Sequence, residues 1–251
     1  MTIEIMPGCE PFSSRGGPFG VLVLHGFTGN PLSMRPLAEG CAAAGYSVEL
    51  PRLPGHGTTL ADMMTTTWKD WSQSAFESFD ELASRSEVVA IVGLSMGGGL
   101  AALVAESRPK VAGCVFINPW FSPLNPELLD GLNQLIEAGV ETLEAIGSDI
   151  KKESASESAY DATPLVCTKS ACDGLTAVRA NLAKITTPSL LLTSRIDHTV
   201  SWERGEDIVA MSSGPVKQIW LEDSYHVATL DNDAELVESS TLAFLAGIFG
   251  A

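Results

Sequence analysis

The sequence predicts an α/β fold in which a mostly parallel, doubly wound sheet is covered by helices on both faces. Short apolar runs rich in β-forming residues alternate with longer amphipathic stretches, and most runs are bounded by glycine, proline or charge. The predicted central strands are residues 19–24, 46–50, 88–92, 111–117, 189–193 and 216–221. The predicted helices are residues 32–44, 68–83, 96–106, 203–211 and 234–249.

A chain of 251 residues often forms one domain, so we expect a single domain over residues 1–251. The segment at about 119–167 breaks the alternation, because roughly fifty residues separate two strands that a simple crossover would join sooner. Its apolar residues recur at helical spacing, as Leu128, Leu132 and Leu135, and then as Leu143, Ile146 and Ile150. The sequence therefore predicts a helical insertion with an apolar underside, either packed on the body or serving as a lid over a substrate pocket.

The formal net charge of −16 restricts the possible partners. Its field repels polyphosphates and anionic membrane surfaces, although solubility alone also explains an acidic surface. We therefore expect no nucleic-acid partner and a small neutral substrate. The sequence leaves monomer and dimer open.

The five cysteines are odd in number, and none forms the C-x-x-C pairs of a zinc site. We expect reduced thiols, no metal and no cofactor. The first residues lack a basic region followed by a long apolar stretch, and no run approaches the roughly twenty apolar residues of a membrane span. These features favour a cytoplasmic protein without an integral membrane segment.

A candidate nucleophile lies in Gly93-Leu94-Ser95-Met96-Gly97, which joins a predicted strand to a predicted helix. A serine on such a sharp turn is pushed into the open, and glycines two residues to either side leave room for the turn. The helix that follows directs its free N–H groups toward the same point, which favours the negative charge of a tetrahedral intermediate. Ser95 is therefore the predicted nucleophile.

A serine hydroxyl needs a base, and the chain has four histidines. On a strand–serine–helix fold of this kind the chain order is serine, acid and then histidine, with acid and base at the carboxyl ends of later strands. His226 follows the last predicted strand and satisfies this order. His198 is the competitor, but Asp197 beside it supplies the carboxylate that orients an imidazole, and adjacent residues rarely serve both roles.

Three other carboxylates compete with Asp197 for the role of acid. Glu222, Asp223 and Asp231 lie on the loop of His226 itself or beyond it, where carboxylates are more often solvated. Asp197 instead ends a neighbouring strand, so we assign it as the acid.

An oxyanion hole needs two backbone donors, one after the nucleophile and one from the loop after an early strand. Met96 and Phe27 satisfy this requirement, and glycines beside Phe27 let the backbone pass close to a substrate carbonyl. His25, at the end of the preceding strand, is interpreted as fixing this loop rather than as catalytic. His56 is likewise interpreted as stabilising a turn.

Five motifs together resemble the bacterial carboxylesterase and monoacylglycerol lipase branch of the α/β-hydrolase superfamily. They are His-Gly-Phe-Thr-Gly-Asn at 25–30, Ser-Met-Arg-Pro-Leu-Ala-Glu at 33–39, Pro-Arg-Leu-Pro-Gly-His-Gly at 51–57, Gly-Leu-Ser-Met-Gly-Gly at 93–98 and Ser-Tyr-His-Val-Ala-Thr-Leu-Asp at 224–231. The resemblance extends nearly end to end. It implies the α/β-hydrolase fold with a small helical cap, together with the triad and oxyanion donors assigned above. The segment Ile-Gly-Ser-Asp at 146–149 resembles the monoacylglycerol lipases in particular, which implies glycerol esters of one fatty acid.

Such a substrate needs an apolar groove for its acyl tail. We expect Ile146 and the leucines of the insertion to hold the tail. Trp120 is a further candidate contact, but Trp120 and Phe121 are bulkier than a roomy tunnel requires, which leaves acyl length open.

The glycerol hydroxyls need polar partners, and Glu157 and Asn118 are the candidates. Glu157 lies in the polar run 151–158, where a solvated loop carboxylate is favoured over a substrate contact.

The predicted reaction is ester hydrolysis through an acyl-enzyme on Ser95, without a cofactor. A general carboxylesterase for short or medium chains, a thioesterase and a carbon–carbon bond hydrolase would keep the same triad. The alternative that is not an enzyme is a ligand-binding protein with the same fold.

Overall fold

In the computed structural model, which describes residues 4–121, 125–145 and 147–250, a seven-stranded sheet forms the centre of the protein. Its strands are β1 (Phe12–Ser14), β2 (Phe19–Leu24), β3 (Ser47–Leu50), β4 (Val88–Leu94), β5 (Val111–Ile117), β8 (Ser189–Ser194) and β9 (Val216–Leu221), while β6 (Thr142–Glu144) and β7 (Ala162–Pro164) form a separate antiparallel pair. The order in the sheet is β1-β3-β2-β4-β5-β8-β9, with β1 antiparallel to β3 and the other neighbours parallel.

Helices cover both faces of this sheet. They are α1 (Arg35–Ala43), α2 (Leu60–Met63), α3 (Trp68–Ser84), α4 (Met96–Ala105), α5 (Pro126–Glu137), α6 (Leu165–Arg179), α7 (Glu206–Met211) and α8 (Ala234–Phe249). One core cluster packs beneath α3, α4 and α6, and the other packs beneath α1 and α8. Residues along β2 alternate between the two, with Leu22 and Leu24 in the first and Val21 and Val23 in the second. The predicted doubly wound α/β fold is confirmed.

The insertion between β5 and α6 differs from the predicted all-helical segment. Helix α5 forms as predicted, but of the three leucines predicted to share one face only Leu132 is buried, whereas Leu128 is 55% exposed and Leu135 is exposed too. Leu143 lies on strand β6, paired with β7, and is exposed. The predicted helix through Leu143, Ile146 and Ile150 was therefore wrong at Leu143. Residues 142–144 form a strand there, because they pair with residues 162–164 at the far end of the insertion.

The end of the insertion lies against the body of the protein. Ile150 packs against the core beneath α1 and α8, while Ile146 lies outside the described residues. Within the described ranges, no helix combines the length and the apolar character needed to cross a membrane.

Candidate active site

Ser95 occupies the sharp turn between β4 and α4. Its φ is +55°, in the region that residues other than glycine rarely adopt. Space explains the flanking glycines: a Cβ on Gly93 would clash with the carbonyl oxygen of Gly97, and a Cβ on Gly97 would clash with that of Leu24. The turn thus depends on both glycines of the motif.

The two predicted oxyanion donors lie on either side of Ser95. Met96 is the first residue of α4, where a backbone N–H has no partner inside the helix. Phe27 belongs to the oxyanion loop, residues 25–30, in which Gly26 passes so close that an added Cβ would lie 3.3 Å from the Ser95 Cβ. Thr28 in this loop also has a positive φ, of +59°. Strained backbone therefore occurs at Ser95 itself and in the oxyanion loop beside it.

Asp197 and His226 form a buried pair. Their side chains are 2% and 7% exposed, and His226 Nδ1 lies 2.7 Å from Asp197 Oδ2. The other oxygen, Asp197 Oδ1, accepts the N–H groups of Thr199 at 2.9 Å and Val200 at 2.7 Å. Because Nδ1 is held by the carboxylate, Nε2 is the ring nitrogen left for a serine proton.

The pKa of His226 is set by opposing influences. Burial lowers it, but the carboxylates of Asp197, Glu157 and Asp149 raise it by more, so the pKa is raised above its ordinary value. An imidazole in this setting is a stronger base than a buried histidine without such neighbours.

The competing acids have other partners. Asp231 is buried and accepts four backbone N–H groups, from Lys151, Lys152, Tyr225 and Asn232, at 2.7–2.9 Å.

The two remaining acids are exposed and form surface ion pairs. Glu222 pairs with Arg195, and Asp223 pairs with Lys151. His198, the competing base, lies beside Asp149, with 2.7 Å between Nδ1 and Oδ1.

A cavity of about 230 Å³ opens beside Ser95, far larger than the space of one water molecule. Its lining includes the apolar residues Phe27, Leu94, Trp120, Val200 and Val227 and the polar residues Thr28, Ser95, Asp149, Glu157, Tyr160, Arg204 and His226. The predicted nucleophile and base therefore face the same space, which has apolar walls and a small number of polar groups.

Glu157 lies in the cavity lining, whereas the polar sequence around it favoured a solvated loop carboxylate. It lines the cavity close to Gly29, where an added Cβ would lie 2.8 Å from Glu157 Oε1. Burial raises the pKa of Glu157 to about 7, against a smaller opposing influence of His226. The insertion folds this carboxyl over the oxyanion loop, a long-range effect that local composition does not reveal.

Trp120 is the other predicted substrate contact that faces the cavity. Trp120 lines the cavity and meets the ring of Phe27 edge-on, with 6.2 Å between centroids. Phe121 is fully buried against Phe116 and so does not narrow the cavity. The remaining candidate for the acyl tail, Ile146, belongs to the part of the chain left undescribed.

Asn118 does not face a substrate hydroxyl. Its amide nitrogen donates to Ser194 Oγ at 2.9 Å and to the carbonyl of His226 at 2.8 Å, and its oxygen accepts Ser194 N–H at 2.7 Å. The prediction for Asn118 is corrected accordingly: this buried amide braces the loop of His226.

His25 is the first residue of the oxyanion loop, and His56 packs against this loop through the ring of Phe27. His25 Nε2 accepts the Leu53 N–H at 3.1 Å, and His56 Nδ1 lies 3.0 Å from the carbonyl oxygen of Pro54. Burial lowers the pKa of His25 to about 3 and that of His56 to about 4, so both rings are neutral at pH 7. Their contacts are those of loop-fixing residues.

Two residues of the insertion were missed in the sequence. Asp149 accepts the backbone N–H of His198, the residue after Asp197, and that of His226 itself. Tyr160 donates its hydroxyl to the Gly55 carbonyl at 2.7 Å and accepts the Thr58 N–H at 3.0 Å. For Asp149, the one signal in the sequence was the segment Ile-Gly-Ser-Asp at 146–149, which indicated a resemblance but no role for the aspartate.

The strained serine turn between a strand and a helix, the buried Asp–His pair and the mostly parallel sheet are features of the α/β-hydrolase fold. The chain belongs to the alpha/beta hydrolase family, whose model matches residues 21–239.

Relatives are similar over almost their full length. The chain is 41% identical to a thermostable monoacylglycerol lipase of Bacillus sp. (strain H-257), covering 96% of each protein. It is 28% identical to a carboxylesterase of Bacillus subtilis (strain 168), covering 94% of this chain and 96% of that one. A solved structure associated with LipS and LipT, two metagenome-derived lipolytic enzymes, is 42% identical with a TM-score of 0.93, covering 97% of this chain and all of the other.

Proposed function

We propose that this protein is a serine ester hydrolase whose substrate is a monoacylglycerol, with Ser95 as nucleophile, His226 as base and Asp197 as the acid that orients it. The observation that carries the proposal is the buried Asp197–His226 pair, which opens into the same cavity as the strained Ser95 turn. The near full-length similarity to a monoacylglycerol lipase supports the substrate class.

The reaction follows from these positions. His226 Nε2 takes the Ser95 proton as Oγ attacks the ester carbonyl, and the backbone N–H groups of Phe27 and Met96 stabilise the oxyanion. The imidazolium then protonates the leaving glycerol oxygen. Water, activated by the same imidazole, attacks the acyl-enzyme and releases the fatty acid.

The cavity supports a substrate with one apolar tail and a polar head. Its apolar side, formed by Phe27, Trp120 and Val200, is suited to an acyl chain, whereas Glu157 supplies a hydrogen-bonding group for a glycerol hydroxyl.

We propose that the insertion, at about 119–167, is a cap on the single domain formed by the chain. A cytoplasmic location is also proposed, supported by five free and buried cysteines.

The test is hydrolysis by Ser95→Ala compared with Ser239→Ala, which makes the same change on the exposed side of α8. We expect Ser95→Ala to lose hydrolysis while keeping the circular dichroism spectrum of the unchanged protein, and Ser239→Ala to retain full activity. Full activity in Ser95→Ala would refute the proposal.

A substrate panel tests the chemical class separately. Monoacylglycerols of increasing chain length are compared with di- and triacylglycerols, an acyl thioester and a vinylogous diketone. We expect the highest kcat/KM on a monoacylglycerol; a higher value on the thioester or the diketone would assign the same site to a different hydrolase reaction.

A further inference from the structure

Asp149 connects the insertion to the loop after β8 and to the loop after β9, and these three segments meet at the cavity. It lies on the insertion and lines the cavity itself. Its Oδ2 accepts the backbone N–H of His198 at 2.9 Å and that of His226 at 3.3 Å, and its own carbonyl accepts the Val227 N–H at 3.1 Å. One buried carboxylate therefore binds the residue after Asp197 and also binds His226.

These contacts bear on the geometry of the predicted triad. Asp197 and His226 lie on separate loops, after β8 and β9, and the parallel sheet fixes only where those loops begin. A hydrogen bond between two loops is lengthened or lost when the loops move apart, and a displacement of about 1 Å is enough to slow a positioned reaction severely. The carboxylate of Asp149 restrains both loops at once.

We propose that Asp149 is a positioning residue for ester hydrolysis, holding the loops of Asp197 and His226 in register from the cap side. This inference depends on the proposed function. Asp149 acts through His226 and not on the substrate, so its loss is expected to affect turnover more than substrate binding. It also makes the geometry of the triad depend on the docking of the insertion.

The charge of Asp149 contributes in the same direction as its hydrogen bonds. The carboxylates that face His226 are Asp197 from the loop after β8, and Glu157 and Asp149 from the insertion; Arg204 also lines the cavity. All three carboxylates raise the pKa of His226, and burial lowers it. Removing one carboxylate therefore lowers the pKa of the base.

Asp149→Asn and Asp149→Ala separate charge from geometry. Asparagine keeps an oxygen that accepts the backbone N–H groups, whereas alanine removes both the charge and the acceptor. Asp223→Asn is the matched control, because it removes one carboxylate from the exposed side of the His226 loop. The assay is the pH profile of kcat/KM on a chromogenic p-nitrophenyl ester, with active sites counted by a serine-directed fluorophosphonate.

For Asp149→Asn we expect the acid limb of the profile to move about half a pH unit lower. For Asp149→Ala we expect kcat per titrated active site to fall about tenfold or more, with KM changed by less than about twofold. Asp223→Asn is expected to change neither quantity. Where both variants fold, support requires both effects.

An unmoved acid limb in Asp149→Asn, or unchanged turnover per active site in Asp149→Ala, overturns the inference; lost thermal stability alone indicates a purely structural residue. If Asp149→Ala does not fold, the asparagine variant decides the question. Failure of the proposed function would be visible separately, because the unchanged protein would then lack both ester hydrolysis and labelling of Ser95, and this inference would fall with it.

Discussion

The protein buries histidines in two regions, and their pKa values move in opposite directions. In the loop after β9, the carboxylates around His226 outweigh burial and raise its pKa. At the oxyanion loop, burial dominates and lowers the pKa of His25 to about 3 and that of His56 to about 4. Similar burial thus gives a base in one region and rings that are neutral at pH 7 in the other.

This difference shows how the same side chain acquires two uses. A buried imidazole with carboxylate neighbours is able to take and return a proton during a reaction. A buried imidazole whose nitrogens bind backbone groups acts instead as a rigid link, as His25 does between Gly26 and Leu53. The carboxylates, rather than burial, are the distinguishing feature, and each prediction below changes one side of this comparison.

The largest effect is expected from Asp197→Asn. This change removes the nearest carboxylate and gives the imidazole the wrong partner, so kcat is expected to fall by roughly 10⁴-fold while the backbone contacts to Thr199 and Val200 remain. Steady-state kinetics on a monoacylglycerol provide the measurement, with Asp223→Asn as the control. A loss of less than tenfold would show that Asp197 is not the acid.

Acid destabilisation is the next largest effect. Because the folded pKa values of His25 and His56 lie below the unfolded value near 6.5, the unfolded chain binds protons that the folded protein does not. Stability is therefore fully present above about pH 6.5 and falls as the pH drops toward 4, by about 2 kcal/mol for each histidine at pH 5.

Urea unfolding at pH 7, 6 and 5 measures this loss. His56→Asn keeps a short donor near the Pro54 carbonyl but cannot titrate, so the slope of unfolding free energy between pH 6 and 5 is expected to shrink by about 1.2 kcal/mol per pH unit. His198→Asn, at an exposed ring, serves as the control. Identical slopes in all three proteins would contradict the assignment of His56 as a buried neutral ring.

Glu157 gives an intermediate effect that is specific to the substrate. Glu157→Ala is expected to raise KM for a monoacylglycerol about tenfold, because a hydroxyl loses a partner that is partly charged near pH 7. KM for a p-nitrophenyl ester, which has no glycerol hydroxyl, is expected to remain within about twofold. An equal rise for both substrates would indicate a general effect on the cavity.

The smallest effect is expected from His198→Asn. The ring of His198 is 55% exposed, and its pairing with Asp149 has the same 2.7 Å separation as the pairing of His226 with Asp197. Because one partner of this pair is exposed to solvent, the pair contributes little, and kcat/KM is expected to stay within about twofold of the unchanged protein. A loss of a hundredfold would make His198 a competitor for the base.

The sequence predicted the parts of the protein that depend on local pattern. Strands β2, β5 and β9 and helix α8 have the predicted bounds, because continuous apolar runs and helical spacing are properties of adjacent residues. The Gly93–Gly97 motif likewise predicted the Ser95 turn, since the space for that turn depends on residues only two positions away.

Helix α6 was missed for a physical reason. Its sequence contains threonine, serine and cysteine and the poor helix former Gly174, which obscure any amphipathic pattern. An added Cβ on Gly174 would collide with the ring of Trp68, so the glycine that weakens the helix allows α3 and α6 to pack. Tertiary contact thus offsets a low local propensity.

The parts of the site supplied by the insertion were predicted least well. Asp149 lies 77 residues from His226 in the chain, and Glu157 reaches the oxyanion loop from a polar run typical of a solvated surface. Asn118 was predicted to contact the substrate, but its hydrogen-bond partners are protein residues 76 and 108 positions away in the chain. No local pattern encodes contacts of such separation, and they determine the surroundings of the base.

The central claim is that Ser95 is the nucleophile activated by the carboxylate-rich region around His226. The most direct measurement is labelling with a serine-directed fluorophosphonate, followed by mass spectrometry of the digested protein. We expect one adduct, on the peptide containing Ser95, formed much more slowly in His226→Ala and absent in Ser95→Ala. An adduct on a different serine, or ester hydrolysis that persists after Ser95 is fully labelled, would contradict the claim.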